Sequence, residues 1–483
     1  MSVLGANAIP DILSTSAQSE SQATRLESVI LDADTHSWVQ DQFGKSRFNI
    51  PKKGSVLSPD GTLIWRTSWL NHSDGTTTAT FPRLSGGACV LDTARLYYGG
   101  KMLCETREVG QKIILDNFFK PYDAQAEVID EKLGGNHKFG YDANGHIKLS
   151  NSRPYTEAGT TNMVNGGAGE TYGLECAVKL RDLFPMLKDM VLPMTLKGEI
   201  IVEINWKGKW TDCIVEGGTI LTNDQHFKVA RPRLHLDYVS YANQVHNAME
   251  DQYNSMEGQA TSYREAVLVQ STINAPVGLT DIVSKDVELG FNNRSVMKVY
   301  LQKLMNTTNP LNRNSRSDGL TGEKHQLIVN NRQLYSRVVE NVSEMYSYLN
   351  QTGEVPFCNV DGTYDFIGSN QTDATLNTFA VNENNGAVAG GALVNVGSVR
   401  EDYQGKFRYV GFNLAKVRFG NDTPANAVNV GDAPLIVRLE RKGSGRANEQ
   451  SQTGAGTEAN LNMWVECVKV LQIKNGEMEV FEI

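Results

Sequence analysis

Residues 182–206 read DLFPMLKDMVLPMTLKGEIIVEINW, and this stretch changes periodicity partway through. Leu183, Met186, Leu187, Met190 and Val191 recur at i, i+3, i+4, i+7 and i+8, the stripe of one short helix. Pro193 ends it, because a proline ring has no N–H to give and restricts the residue before it. Beyond it, Ile200, Val202, Ile204 and Trp206 alternate with Glu199, Ile201, Glu203 and Asn205, as in a strand with one apolar face. The spacing predicts a short helix that covers the end of a β-sandwich and a strand that enters its core.

Working outward, strands dominate. RPRLHLDYV (231–239) puts Leu234, Leu236 and Tyr238 on one face and Arg233, His235 and Asp237 on the other. RFNIP, TLIWRTSWL, SYREAVLVQSTI, SVMKVYLQKL, KFRYVGFNLAKVRF and APLIVRLER read likewise. SPDG (58–61) is a turn, Gly99-Gly100 joins two runs as a hairpin, and Asn475-Gly476 is the strongest hairpin signal in the chain. LYYGGKML (96–103) and LIVNNRQL (327–334) share the pattern Leu-x-x-turn-turn-x-x-Leu, 231 positions apart. That offset, near half of 483 residues, fits a duplicated β domain. Two helices are expected elsewhere. One lies around 20–33, with Leu26, Val29 and Ile30 on one face. The other follows Asn330-Asn331, with Leu334, Val338, Val342, Met345 and Leu349 as its stripe. Segments 157–170, 309–323, 381–398 and 442–459 read as long loops.

Net charge is −9, and the densest basic run is Arg231-Pro232-Arg233, so nucleic-acid binding is not the expected main activity. Cys89, Cys104, Cys176, Cys213, Cys358 and Cys467 form no CxxC. Several lie in strand runs, where a free thiol packs as a small hydrophobe, and a reducing folding environment is the simplest reading. No signal peptide is expected, and no apolar run approaches the roughly 18–20 residues that span a bilayer.

A search for chemistry is negative. FGKS (43–46) has the tail of a phosphate loop, but Val39 stands where its first glycine belongs, and GAG (167–169) is not a dinucleotide fingerprint. YDANGH (141–146) lacks the later acids of a calcium loop and reads as a surface turn. Glu199 and Glu203, about 13 Å apart along one strand, are too far apart for a glycosidase pair and read as a solvated or interface face. The six tryptophans read as core and interface anchors rather than a sugar platform. No residue is assigned a catalytic, cofactor-binding or metal-ligating role, and no cofactor is expected.

In order and spacing, RFNIPKKGSVLSPDGTLIW, FPRLSGGACVLDTARLYYGGKMLCE, the opening stretch, and HQLIVNNRQLY with its trailing segment resemble the double jelly-roll major capsid proteins of polinton-like viruses and virophages. The resemblance spans most of residues 47–350. It implies an all-β chain of two consecutive eight-stranded jelly-roll sandwiches with short helices and long loops. The expected division is an N-terminal arm at 1–44, a first jelly roll at 45–240, and a second at 241–483 entered by a linker at about 241–262. The implied function is a major capsid protein of an icosahedral double-stranded DNA virus, found in the virion. It would form a hexon-like homotrimer that meets neighbouring capsomers, a single jelly-roll penton protein and minor capsid proteins. It would bind no specific nucleic-acid sequence and have no transmembrane segment. The alternatives are a carbohydrate-binding or fibre-type β-sandwich, or a β-sandwich hydrolase.

Overall fold

A computed structural model describes residues 23–39, 42–70, 79–81, 85–118, 147–148, 174–209, 215–216, 226–274, 276, 281–305, 323–340, 344, 347–348, 352, 387–389, 392–394, 409–415, 424–442 and 458–483.

The strands that build the first half are β1 (Ala23–Asp32), β2 (Gly44–Ile50), β3 (Thr62–Leu70), β4 (Leu91–Tyr98), β5 (Lys101–Arg107), β6 (Leu174–Lys179), β7 (Ile200–Trp206) and β8 (His226–Tyr241). They form two antiparallel sheets, ordered β1-β8-β3-β6 and β2-β7-β4-β5. The second half uses β9 (Gln259–Ile273), β10 (Ile282–Glu288), β11 (Ser295–Met305), β12 (Lys324–Val329), β13 (Arg332–Gln333), β14 (Tyr409–Asn413), β15 (Ile436–Lys442) and β16 (Ala459–Lys474). Its sheets run β9-β16-β11-β14 and β10-β15-β12-β13. Both halves therefore order their eight strands as 1-8-3-6 facing 2-7-4-5, the interleaved topology of a jelly roll. The strands Val56–Leu57 and Glu477–Glu482 extend the ladders of β8 and β16.

Alternation places the cores. β2 buries Gly44, Ser46, Phe48 and Ile50 and exposes the residues between. Leu234, Leu236 and Tyr238 of β8 are fully buried, as their pattern predicts. Trp65 of β3 and Trp206 of β7 meet between the facing sheets with ring centroids 5.6 Å apart. Hairpins close at Gly99-Gly100, Asn330-Asn331 and Asn475-Gly476, and all six residues have positive φ, as type I′ turns require. The two halves of the 231-residue echo are the β4–β5 and β12–β13 hairpins, the same place in each jelly roll.

Four expectations change. The helix around 20–33 is strand β1, paired antiparallel with β8 over most of its length. The pairing splits the supposed stripe: Val29 packs toward the core, while Leu26 and Ile30 face outward. The single helix at 182–191 is two short turns, Leu180–Leu183 and Pro185–Lys188, broken at Phe184 because Pro185 cannot continue the hydrogen-bond ladder. Residues 334–340 of the last expected helix are bends and a bridge from Val339 to His325, with helical residues only from Glu344; Val342, Met345 and Leu349 lie outside the described residues. β7 is buried on both faces, because it runs at the centre of its sheet and its polar face carries a buried ion-pair group. Segment 157–170, most of 309–323 and 443–457, YDANGH, GAG, Cys213, Cys358 and Trp210 also lie outside the described residues.

Candidate functional site

A bonded polar region joins the two jelly rolls. β5 and β9 are both edge strands of their sheets. An uncovered edge offers free N–H and C=O groups and invites further pairing. Here the two edges face each other, and side chains satisfy their backbone groups. The Tyr263 hydroxyl donates to the Leu103 carbonyl at 2.9 Å. Glu105 N–H donates to Glu265 Oε1 at 3.4 Å, and Arg264 N–H donates to Asp189 Oδ2 at 2.8 Å.

Asp189 comes from the opening stretch. The turn Pro185–Lys188 buries Met186 and Leu187 and delivers the Asp189 carboxylate, 1% exposed, to Arg264. Arg264 Nε reaches both carboxylate oxygens at 3.1 and 2.9 Å, and Nη2 reaches Oδ1 at 2.8 Å. Such a planar fork fixes orientation as well as distance. Lys469 Nζ holds Glu265 Oε2 at 2.5 Å. At the next hairpin, the Tyr98 hydroxyl accepts from Gly198 N–H at 2.8 Å and donates to the Gly476 carbonyl at 3.1 Å. A second jelly-roll turn is thus tied to the first through one phenol. A cleft of about 510 Å³ opens along the same junction, lined by Asp92, Glu108 and Lys207 on one side and Gln270, Asn460 and Asn462 on the other. Burial, then the neighbouring Glu108, raises the Asp92 carboxyl above its usual range, while Lys207 Nζ lies 2.6 Å from Glu108.

The remaining motifs do not converge on chemistry. Ser46, the end of FGKS, lies inside β2, and its hydroxyl is engaged by His36 Nδ1 at 2.8 Å and Trp206 Nε1 at 2.7 Å. Glu203 is buried between Lys45 (2.6 Å) and Arg95 (3.2 Å), which corrects the solvated face expected for it; Glu199 is exposed. Trp65, Trp206 and Trp464 are fully buried anchors. Cys89, Cys104, Cys176 and Cys467 are buried free thiols. Among the described residues, no group of three or more His, Cys, Asp or Glu could hold a metal ion, and no helix is long and apolar enough to cross a membrane.

No local spacing points to this seam. Asp189 and Arg264 are 75 positions apart, and the sequence shows Tyr263, Arg264 and Glu265 only as alternating members of one strand.

No family model and no curated protein matches the chain. Solved structures do. PBCV-1 VP54, from a crystal structure fitted into a cryo-electron-microscopy reconstruction of the virophage Sputnik, aligns with a TM-score of 0.55 at 10% identity, over 96% of this chain and 99% of its own. The Sputnik virophage structure aligns with a TM-score of 0.53 at 12% identity, over 96% and 89%. The Faustovirus major capsid protein aligns with a TM-score of 0.51 at 9% identity, over 95% and 92%. With two copies of one strand order joined edge to edge, the chain has the double jelly-roll fold, and nearly its whole length resembles these viral proteins.

Proposed function

We propose that the chain is a major capsid protein of an icosahedral double-stranded DNA virus, with a structural rather than a catalytic role. The observation that carries this reading is the repeated jelly roll locked at a bonded seam, together with the whole-length likeness to capsid structures. A flat lattice tile needs lobes held at a fixed angle, and the Asp189–Arg264 fork with its neighbours supplies that rigidity. In this reading the first jelly roll takes in β1 together with the expected 45–240, as its eight-strand order requires, and the second covers 241–483. Helix α1 (Asn243–Asn254) then sits in the linker at about 241–262. The arm expected at 1–44 is then reduced to the residues that precede β1, because β1 completes the sheet of the first jelly roll. Three copies form a six-lobed homotrimer. The trimer meets neighbouring capsomers, a single jelly-roll penton protein at the five-fold vertices and minor capsid proteins in the virion.

Light-scattering mass after size exclusion, with negative-stain imaging of the same peak, tests the proposal. The expected result is a particle three times 53.2 kDa with a six-lobed face. A monomer that forms no shells when co-expressed with a penton protein, and that is retained on a glycan array, refutes it in favour of the carbohydrate-binding reading.

A further inference from the structure

On one face of the β9–β16 ladder the side chains change character toward the end of β9. Leu268 opposes Trp464, then Gln270 opposes Asn462 and Thr272 opposes Asn460. Directly opposed residues share a face, so three carboxamides and a hydroxyl follow an apolar pair. These four side chains line the second-jelly-roll wall of the cleft of about 510 Å³. Gln270 Nε2 donates to Asn462 Oδ1 at 3.1 Å, and Asn462 is 3% exposed, so an amide at the opening is tied to one at the bottom. The facing wall gathers the matching strand ends of the first jelly roll. Asp92 lies near the start of β4, Glu108 follows β5 and Lys207 follows β7. Phe43, just before β2, also lines the cleft and is 71% exposed.

Charge and polarity narrow the ligand. Lys207 is matched to Glu108 at 2.6 Å, and Asp92 is a second acid, so the lining holds no surplus positive charge for a phosphate or a sulfate. Among the described residues, no cluster of acids, histidines or cysteines could hold a metal ion. Sites for apolar molecules are lined mainly by hydrophobic side chains, whereas only Phe43 and Leu304 are apolar here. A neutral ligand dense in hydroxyls fits what is left. A hydroxyl both donates and accepts, and so do a carboxamide and the Thr272 hydroxyl, while the carboxylate of Glu108 accepts. A sugar ring also carries a C–H face, for which the exposed Phe43 ring is an apolar partner. The volume falls within the roughly 300–1,000 Å³ of small-molecule sites, which favour domain junctions such as this one.

We propose that this cleft is a carbohydrate site. It takes the end of a neutral glycan between the carboxamide wall of β9 and β16 and the Asp92–Glu108 wall, with Phe43 against a sugar ring at the opening. The site goes beyond the capsid reading and does not depend on the trimer, because both walls belong to one chain.

The full chain is applied to a printed array of neutral, sialylated and sulfated glycans. Saturation-transfer NMR then reads free glucose, galactose, mannose and N-acetylglucosamine at millimolar concentration. Phe43→Ala and Thr272→Val/Asn460→Leu are compared with the wild type, with far-UV circular dichroism and light-scattering mass recorded for each. Phe43 is exposed and lies outside the strands, so its variant still reads the site if the double variant misfolds. The expected result is a retained neutral glycan, displaced by its own free terminal sugar, and bound about tenfold more weakly by each variant at unchanged mass, as the loss of one hydrogen bond or ring contact would give. No neutral sugar bound by the wild type overturns the inference, and with a wild-type trimer it leaves the capsid reading standing. Retention of sialylated or sulfated glycans alone also overturns it, in favour of an anion site. Unchanged affinity in both variants overturns it too, because the sugar is then held elsewhere. A single chain that forms no shells but loses its sugar signal in the variants supports the inference and refutes the capsid reading.

Discussion

Replacing Arg264 with Met tests whether the seam is a rigid joint. The substitution keeps most of the side chain's volume and removes three charge-assisted bonds to Asp189. The carboxylate it abandons is 1% exposed and keeps one described bond from this partner, the Arg264 backbone N–H. Breaking a buried pair on one side leaves an uncompensated charge and costs about 3–5 kcal/mol, whereas a solvent-exposed pair is worth about 0–1 kcal/mol. Replacing both partners, as Asp189→Leu/Arg264→Met, removes the stranded charge. What remains is one unpaired backbone N–H, a cost of about 1–3 kcal/mol. The double variant is therefore expected to be more stable than the Arg264→Met single. Urea unfolding, followed by tryptophan fluorescence with its three fully buried reporters, measures both. A loss of 1 kcal/mol or less for Arg264→Met, or a double variant less stable than both singles, refutes the reasoning that this fork is a desolvated joint.

Two further outcomes follow from the same structure. Burial, then the nearby Lys303, holds the His325 imidazole down at about 3, where an unfolded chain titrates near 6.5. The unfolded state binds this proton first, so the stability tied to His325 is complete above about pH 6.5 and falls as the pH drops toward 3; about 2 kcal/mol is gone by pH 5. His325→Gln should flatten that part of the urea-midpoint profile between pH 7 and pH 5, and an unchanged slope would count against the assignment. Tyr98→Phe strands the Gly198 N–H and releases Gly476, a cost of about 1–3 kcal/mol; thermal unfolding reads it, and a change below 0.5 kcal/mol, about the scatter of neutral surface substitutions, would show that the phenol is not a tie.

The fold was legible wherever alternation and turn chemistry agree. β8, the hairpins at Gly99-Gly100 and Asn475-Gly476 and the 231-residue echo lie where the pattern puts them, because each is a local property of a few residues, whereas the Asn330-Asn331 turn leads into β13 and not into the expected helix. β1 was not legible, since Leu26, Val29 and Ile30 satisfy a helical stripe as well as they satisfy a strand. Only the ladder with β8, more than 200 positions away, decides between them. Glu203 read as part of a solvated or interface face because its strand alternates. Its burial comes from Lys45 and Arg95, on the neighbouring strands β2 and β4. The seam was illegible for the same reason: its side chains meet only after both jelly rolls have formed. The opening stretch gives the clearest case. Its apolar residues announced a covering helix, but nothing in it announced that Asp189 would leave the cover to grip the other jelly roll.

The buried sulfurs have a chemical consequence. Oxidants attack thiolate, and burial raises Cys104 well above its usual range and pushes Cys467 up to about 12, with Cys176 also raised. At pH 8 a thiol of that acidity is ionised only about once in ten thousand molecules. Peroxide and dissolved oxygen would meet almost no reactive sulfur at these positions. Moved from a reducing solution into aerated water, the folded chain would keep these side chains in one state.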